Sequence, residues 1–315
     1  MKRLILVLVS FAFGLIGHAQ KQDSLLVMFW NVENFFDWTD QGTGDSDKEF
    51  SSYGDRRWTR NRFYAKCDAL AKTFMWTADR HGRMPDVIGL AEVENRGVLT
   101  KFLSSTLMRK FDYGIVHCDS KDRRGIDVAL LYRKSSMALS SRTFVALSDM
   151  STRDILHAQM ILQDGQKIDF IVNHHPSKYG GAEESEERRM TVMGTLKSLC
   201  DSLVSAGSKG IVAMGDFNDI PTAPQFRIID SLLINKGLPL YEKGEGTIRY
   251  EGKWDLIDNF LASPSLHTSD MEVLRIPFLM TYEKKYPGEQ PLRTYSGPRY
   301  LGGVSDHCPI MLWIY

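Results

Sequence analysis

The stretch Gly215-Asp216-Phe217-Asn218-Asp219 closes a short apolar run, Gly210 to Met214, and Ser305-Asp306-His307-Cys308-Pro309 opens another, Cys308 to Ile314. An acid beside a histidine can hold the imidazole and help to bind a metal. On an extended segment, Asp216 and Asn218 would project from one face. Together these stretches describe a site that activates water against a phosphate ester. Polar residues end or interrupt other apolar runs in the same way. Asn31 follows Phe29-Trp30, Glu92 follows Gly89-Leu90-Ala91, His174 and His175 follow Phe170-Ile171-Val172-Asn173, and Asp258 lies inside Leu256 to Leu261. Desolvating a carboxylate costs several kcal/mol unless it is paired or metal-bound. Repetition of this pattern at strand ends is better explained by one shared site than by many separately satisfied core groups.

The 315 residues are 43% hydrophobic and 25% charged, which suits a folded chain with a large core. Formal net charge is +0, with 39 basic and 39 acidic residues, so no broad basic surface is expected to coat nucleic acid non-specifically. A local basic patch is compatible with this balance. Lys2 and Arg3 lead an apolar run, Leu4 to Ile16, followed by Gly17-His18-Ala19. That is the pattern of a secretory leader over residues 1–19, and the run is shorter than the roughly 20 residues a membrane span needs. The chain is therefore expected to be exported, periplasmic or secreted, with one domain over residues 20–315. The remainder has no membrane span and no feature implying a stable protein partner, and a monomer is expected.

Leu25 to Trp30, Asp86 to Glu92, Tyr113 to His117, Asp127 to Tyr132, Leu156 to Leu162, Ile168 to His174, Gly210 to Met214, Leu256 to Leu261 and Cys308 to Ile314 read as strands. Helical spacing marks Arg60 to Ala78, Gly97 to Met108 and Glu186 to Val204, and residues 38–57 read as a long loop. Strands apolar on both faces, interleaved with helices, fit two stacked sheets with helices outside. Cys67, Cys118, Cys200 and Cys308 match no zinc spacing; Cys67 and Cys200 sit in helical patterns and read as buried small hydrophobes.

The chain resembles the endonuclease/exonuclease/phosphatase superfamily, from Leu25 to Tyr315. The resemblance is carried by WNVENFF at 30–36, LAEVEN at 90–95, GIDVALLYR at 125–133, IVNHHPSK at 171–178, GDFND at 215–219, LIDNFLAS at 256–263 and SDHCPI at 305–310. It implies a four-layered α/β sandwich, two stacked mixed sheets flanked by helices, as in deoxyribonuclease I. It also implies roles. Asn31, Glu92 and Asp306 match metal-site residues, and Asp216 and Asn218 match the pair that holds metal, water or a phosphate oxygen. His307 matches the catalytic histidine, Asp258 the acid that orients it, and His174 a second histidine on the scissile phosphate. Asp127 falls where some members place an acid partner for that histidine. Oxygen donors suit Mg²⁺, with Mn²⁺ or Ca²⁺ as alternatives. His307, held by Asp258, could take a proton from water; across the family the base is either this histidine or the acid matching Asp216.

The expected activity is that of an exported endonuclease cleaving DNA or RNA. The alternatives are a phosphatase or phosphodiesterase for a lipid, sugar or inositol phosphate, and a binding protein on the same scaffold. Every central position is filled, which argues against the binder. Lys253-Trp254-Asp255-Leu256 lacks the signature of inositol 5-phosphatases. Ser177 and Lys178, on the loop after His174, are candidate contacts to substrate, as is Tyr300 by its position before SDH. Arg56-Arg57-Trp58 is either a stacking lip or a surface segment packed on the body. Glu94 is either near the site or at the surface, and His175, facing away from His174, reads as structural.

Overall fold

The apolar runs read as strands all end up in two sheets, and the segments between them supply the helices and small hairpins. The computed structural model describes residues 24–42, 44–147, 150–178 and 182–315; the leader read at residues 1–19 lies outside them. In chain order the strands are β1 (Leu25–Phe35), β2 (Val87–Val93), β3 (Tyr113–His117), β4 (Asp127–Arg133), β5 (Met137–Val145), β6 (Ile155–Leu162), β7 (Lys167–His174), β8 (Ile211–Asp216) and β9 (Ile234–Asn235). They continue as β10 (Ile248–Tyr250), β11 (Lys253–Asp255), β12 (Asp258–Ala262), β13 (Glu272–Val273), β14 (Met280–Glu283), β15 (Gly288–Pro291), β16 (Tyr295–Ser296), β17 (Arg299–Tyr300) and β18 (Ile310–Ile314). The helices are α1 (Asp45–Glu49), α2 (Arg60–His81), α3 (Arg96–Ser105), α4 (Ala182–Ser205) and α5 (Leu238–Glu242).

One six-stranded sheet runs β13-β18-β1-β2-β4-β3 and the other β5-β6-β7-β8-β12-β9. Each contains one parallel pair, β1/β2 and β7/β8, and the other neighbours are antiparallel. A parallel pair needs a long crossover, and helices supply it: α2 between β1 and β2, α4 between β7 and β8. Alternation along the strands then sorts the core into three layers of side chains. Met28 and Trp30 pack under α2 with Phe63, Leu70 and Phe74. Val27, Phe29, Phe170, Val172, Val212 and Met214 fill the space between the sheets. Ile171, Ala213, Met193 and Leu196 pack under α4. Three side-chain layers between four layers of backbone make the α/β sandwich expected from the sequence.

Several elements differ from that reading for identifiable reasons. β5 is mostly exposed, so it carries no apolar run to betray it. α1 sits inside the stretch read as loop. The second helix stops at Ser105, where Thr106 caps a separate short turn at Leu107–Lys110. The hairpins β10/β11, β14/β15 and β16/β17 are built from polar segments without alternation. Trp58 is fully buried and donates to the Phe36 carbonyl, so Arg56-Arg57-Trp58 packs on the body rather than forming a stacking lip. Cys67 and Cys200 are buried, as read. Among the described residues no helix is long and apolar enough to cross a membrane.

Two consequences can be measured. A Cβ on Gly215 would lie 2.3 Å from the Asn173 carbonyl oxygen, an unyielding backbone atom. Gly215→Ala is expected to destabilise the chain by about 1–3 kcal/mol, the usual range for overpacking, read from the midpoint of guanidinium unfolding; an unshifted midpoint would show that β7 and β8 can separate there. His175 is fully buried, its Nδ1 bonded to Gln225 and its ring against Phe217. Burial pushes it down to about 3, from an ordinary value of 6.5. The folded chain keeps it neutral while the unfolded chain protonates, so its contribution is complete above 6.5 and is lost as pH falls toward 3. The melting temperature should drop on acidification through this window, and His175→Gln should flatten the slope.

Candidate functional site

Strand parity decides which polar side chains meet. Val27 and Phe29 enter the space between the sheets, so Asn31 points there too. The same parity carries His174 with Phe170 and Val172, Asp216 with Val212 and Met214, and Asp258 with Phe260. In register, Asp216 stands beside His174 on one side and Asp258 on the other. All lie where both parallel pairs end, the position at which open α/β sheets bind ligands.

Asp216 is the meeting point. Asn31 Nδ2 reaches from the other sheet and donates to Asp216 Oδ2 at 3.0 Å. His174 Nε2 lies 3.5 Å, and His307 Nε2 3.8 Å, from the same oxygen. His307 Nδ1 pairs with Asp258 Oδ2 at 2.8 Å, and His307 Nε2 is 3.9 Å from Asp306 Oδ1. Backbone and hydroxyl bonds fix the loop that carries His307. The Ser305 hydroxyl donates to the Asn31 carbonyl and accepts from the His307 N–H, while Trp30 Nε1 donates to the His307 carbonyl.

Asn218 joins the cluster differently from expectation. β8 ends at Asp216, and Asn218 adopts φ 51, so the two do not share an extended face. Instead the Asn218 N–H donates to Asp216 Oδ1, and its side-chain amide donates to the His175 carbonyl. Glu33, Asn34 and Glu92 also have positive φ (47, 51 and 63). The ladders between β1, β2 and β4 are interrupted at these points. Non-glycine residues in this region cost energy and cluster at functional sites.

The charges have definite leanings. Burial disfavours the charged form of His307, but Asp258, then Asp216 and Asp306, hold it well above the ordinary range. Burial, followed by the facing Asp258, pushes Asp216 up to about 7. Burial and the nearby Arg153, Arg124 and His307 push His174 well below its usual value. Burial alone would raise Glu92, yet Arg124 and the Asn34 N–H hold it low.

Glu92 and Asp306 lie around the same two cations, Lys66 and Arg293. Arg124 approaches Glu92 at 3.4 Å, and Arg293 bonds Asp306 at 2.9 Å and Glu33 at 3.2 Å. Both guanidiniums are partly exposed. Asn31, Glu92 and Asp306 are oxygen donors of the kind a hard divalent cation takes. Asp216, Asp258 and His307 offer further ligand atoms within 4.8 Å of one another.

Five candidates fall outside this cluster. Asp127 shares the face of Ala129 and Leu131, under the helices, whereas His174 faces between the sheets. It therefore does not partner His174; its Oδ1 accepts from the Ser120 N–H and its Oδ2 lies 3.7 Å from His117 Nε2. Lys178 is tied to Asp219 at 2.8 Å, and Ser177 beside it is exposed, with no contact to the cluster among the described residues. Tyr300 packs on Tyr295 and Trp58, with the Arg62 guanidinium 4.2 Å above its ring. Glu94 turns to the Asp37 N–H and to Asn95, away from Glu92.

Sequence reading missed Glu33, Lys66, Arg124, Arg153 and Arg293. Lys66 carried a signal: it lies on the apolar face of α2 with Phe63 and Leu70, where a charge needs partners. It finds them in the Glu33 carbonyl and Thr294 hydroxyl. Arg153 is buried, bonded to the His175 carbonyl and Asp122, and nothing local in the sequence marks it.

The profile of the Endonuclease/Exonuclease/phosphatase family matches residues 26–315. No curated protein matches the chain. Among solved structures, a humanized D. rerio TDP2 superposes with a TM-score of 0.60 at 15% identity, covering 93% of this chain and 99% of that one. The human Nocturnin catalytic domain with bound sulfate gives 0.59 at 16%, covering 94% of each. A mannosyl-6-phosphatase from Bacteroides thetaiotaomicron gives 0.58 at 15%, covering 92% and 99%. At these identities the likeness shows the fold, which is deoxyribonuclease-I-like. The profile match extends over nearly the whole chain, and the chain belongs to the endonuclease/exonuclease/phosphatase family.

Proposed function

We propose that this phosphoesterase is an Mg²⁺-dependent phosphodiester hydrolase, exported from the cell as a monomer, that cleaves DNA or RNA internally. The observation that carries the hydrolytic reading is the line Asp258–His307–Asp216, anchored from the opposite sheet by Asn31 and flanked by His174. A nucleic-acid substrate is supported by the cations Arg56 and Arg62, packed against Tyr295 and Tyr300 of the β16/β17 hairpin, which Arg293 and Thr294 tie to Glu33 beside the site. Such groups suit a charged backbone with stackable bases.

Asn31, Glu92 and Asp306 would hold Mg²⁺, which when bound would supply neutralisation of phosphate charge and of the leaving oxygen. The chain's own groups do the rest. Asp258 fixes the direction of His307 and keeps it charged, so Nε2–H would donate to a phosphoryl oxygen. Asp216, poised at about 7, takes the proton from the attacking water. The charged His307 makes Asp216, rather than His307, the base of the two alternatives. Neutral His174 donates a second hydrogen bond, and the Asn218 N–H orients Asp216. Arg124 and Arg153 lie on the His174 side of the cluster, where non-bridging oxygens would sit.

That same density of guanidiniums favours a second reading, a phosphatase for a phosphorylated sugar, lipid or inositol, since a monoester carries more charge than a diester. Plasmid DNA, RNA and sugar phosphates assayed side by side, with Mg²⁺ and with EDTA, separate the two: turnover confined to monoesters would overturn the nuclease reading.

His307→Ala should lower turnover of bis-p-nitrophenyl phosphate by at least about 100-fold, the low end for losing a donor to developing charge; a folded variant with an unchanged rate removes His307 from the reaction. Glu92→Ala should raise the Mg²⁺ concentration for half-activity by more than about 10-fold, a loss typical even of residues that only orient a ligand. A superimposable Mg²⁺ titration would show that Glu92 is no ligand.

A further inference from the structure

The hairpin that joins β3 to β4 carries a second cluster, on the helix-facing side of its sheet and apart from Asp216. His117 ends β3, Asp119 lies in the connection, and Asp127 opens β4. His117 and Asp127 are more than nine-tenths buried, and Asp119 is exposed. His117 Nε2 is buried without a hydrogen-bond partner and faces Asp127 Oδ2 at 3.7 Å, beyond hydrogen-bond reach. His117 Nδ1 lies 3.7 Å from Asp119 Oδ1. Among the described residues no lysine or arginine pairs with Asp127, and one atom from each of the three residues falls within 4.8 Å of the others.

We propose that His117, Asp119 and Asp127 form a second metal site, for a borderline divalent cation of the zinc type. One imidazole and two carboxylates are a donor set such an ion takes, with water in the fourth position. Bonds of about 2.0–2.2 Å at tetrahedral angles place neighbouring ligand atoms about 3.3 Å apart. The 3.7 Å between Nε2 and Asp127 Oδ2 closes to this with a shift of a few tenths of an ångström, and exposed Asp119 swings in as third ligand. The Ser120 N–H already occupies Asp127 Oδ1 at 3.1 Å, which leaves Oδ2 for the ion. A cavity of about 440 Å³, lined by Asp119, Ser120 and Asp127 together with Asp47 and Glu94, gives the ion an entry path and its water a place. Because the site ties the two ends of one hairpin connection together, its role is to brace that loop. The same loop carries Arg124 to Glu92.

The test uses the full chain stripped with EDTA and titrated with Zn²⁺ by calorimetry, with Co²⁺ absorption as a second readout. The wild-type chain should bind one more equivalent of Zn²⁺ than His117→Ala, and Zn²⁺ should raise the melting temperature of the wild type further than that of the variant. Asp119→Asn changes an exposed side chain and should fold normally, bind Zn²⁺ at this site at least about 10-fold more weakly, and keep Mg²⁺-supported hydrolysis. If His117→Ala does not fold, Asp119→Asn decides alone. Equal stoichiometry and affinity in wild type and variants would overturn the proposal. So would a His117→Ala chain whose loss of stability is the same with and without Zn²⁺, the mark of a packing pair only.

Discussion

The molecule is organised around the need to satisfy one carboxylate, Asp216, buried where two sheets meet. An unpaired buried carboxylate is strongly disfavoured, and no single neighbour here cancels the cost. The turn after its own strand supplies the Asn218 N–H, the neighbouring strands supply His174 and Asp258, the loop before β18 supplies His307, and β1 of the opposite sheet supplies Asn31. The Asn31–Asp216 bond is therefore a register pin between layers as well as part of the site. It holds only if β1 keeps its parity, because a slip of one residue would turn Asn31 under α2 and bring Trp30 against Asp216. The Trp30 indole bond to the His307 carbonyl reinforces the same register from the other face.

Backbone strain recurs where the chain leaves the sheets beside this cluster. Glu33, Asn34, Glu92 and Asn218 all adopt positive φ, a state that costs of order 1–3 kcal/mol for a non-glycine residue. A regular β2 would have sent Glu92 to the helix side with Ile88 and Leu90. Breaking the ladder lets acids on adjacent strands be aimed at a common volume. The three apolar layers below are continuous and close-packed, and they hold these bends in place; the tilted stack of His175 on Phe217 and the Gln225 bond do so directly beneath Asn218.

Much of this was legible in the sequence because the core is written in period two. Runs such as Val27-Met28-Phe29-Trp30 and Val212-Ala213-Met214 are apolar at every position, which only a strand covered on both faces requires, and the polar residue that ends each run marks one end of the sandwich. What could not be read is whatever parity does not govern. Arg124, Arg153 and Arg293 come from irregular loops, and their convergence depends on how those loops fold back. Asp127 shows the opposite failure. Its motif position suggested the His174 side, but its parity with Ala129 already placed it on the far face of its sheet. The polar hairpins between Ile248 and Tyr300 carry no alternation, so neither their pairing nor the packing of Tyr300 on Arg62 had a signal.

A buried acid touching a histidine is not by itself a reactive arrangement, and this chain contains the control. His157 Nε2 lies 2.8 Å from Asp169 Oδ1, the same separation as His307 Nδ1 from Asp258. At Asp169, Ser208 and Gln159 donate as well. Burial works to raise that carboxyl, but His157 and then Ser208 hold it low. Every interaction there favours one protonation state, and the pair is a structural brace at the opposite end of the sheet. At Asp216 the neighbours disagree. Burial and the facing Asp258 favour the acid, His307, Asn31 and the Asn218 N–H favour the anion, and the result stands near neutrality. A proton is exchanged at low cost only where no single set of partners has already claimed it, and among these two acid–histidine pairs that condition is met at Asp216.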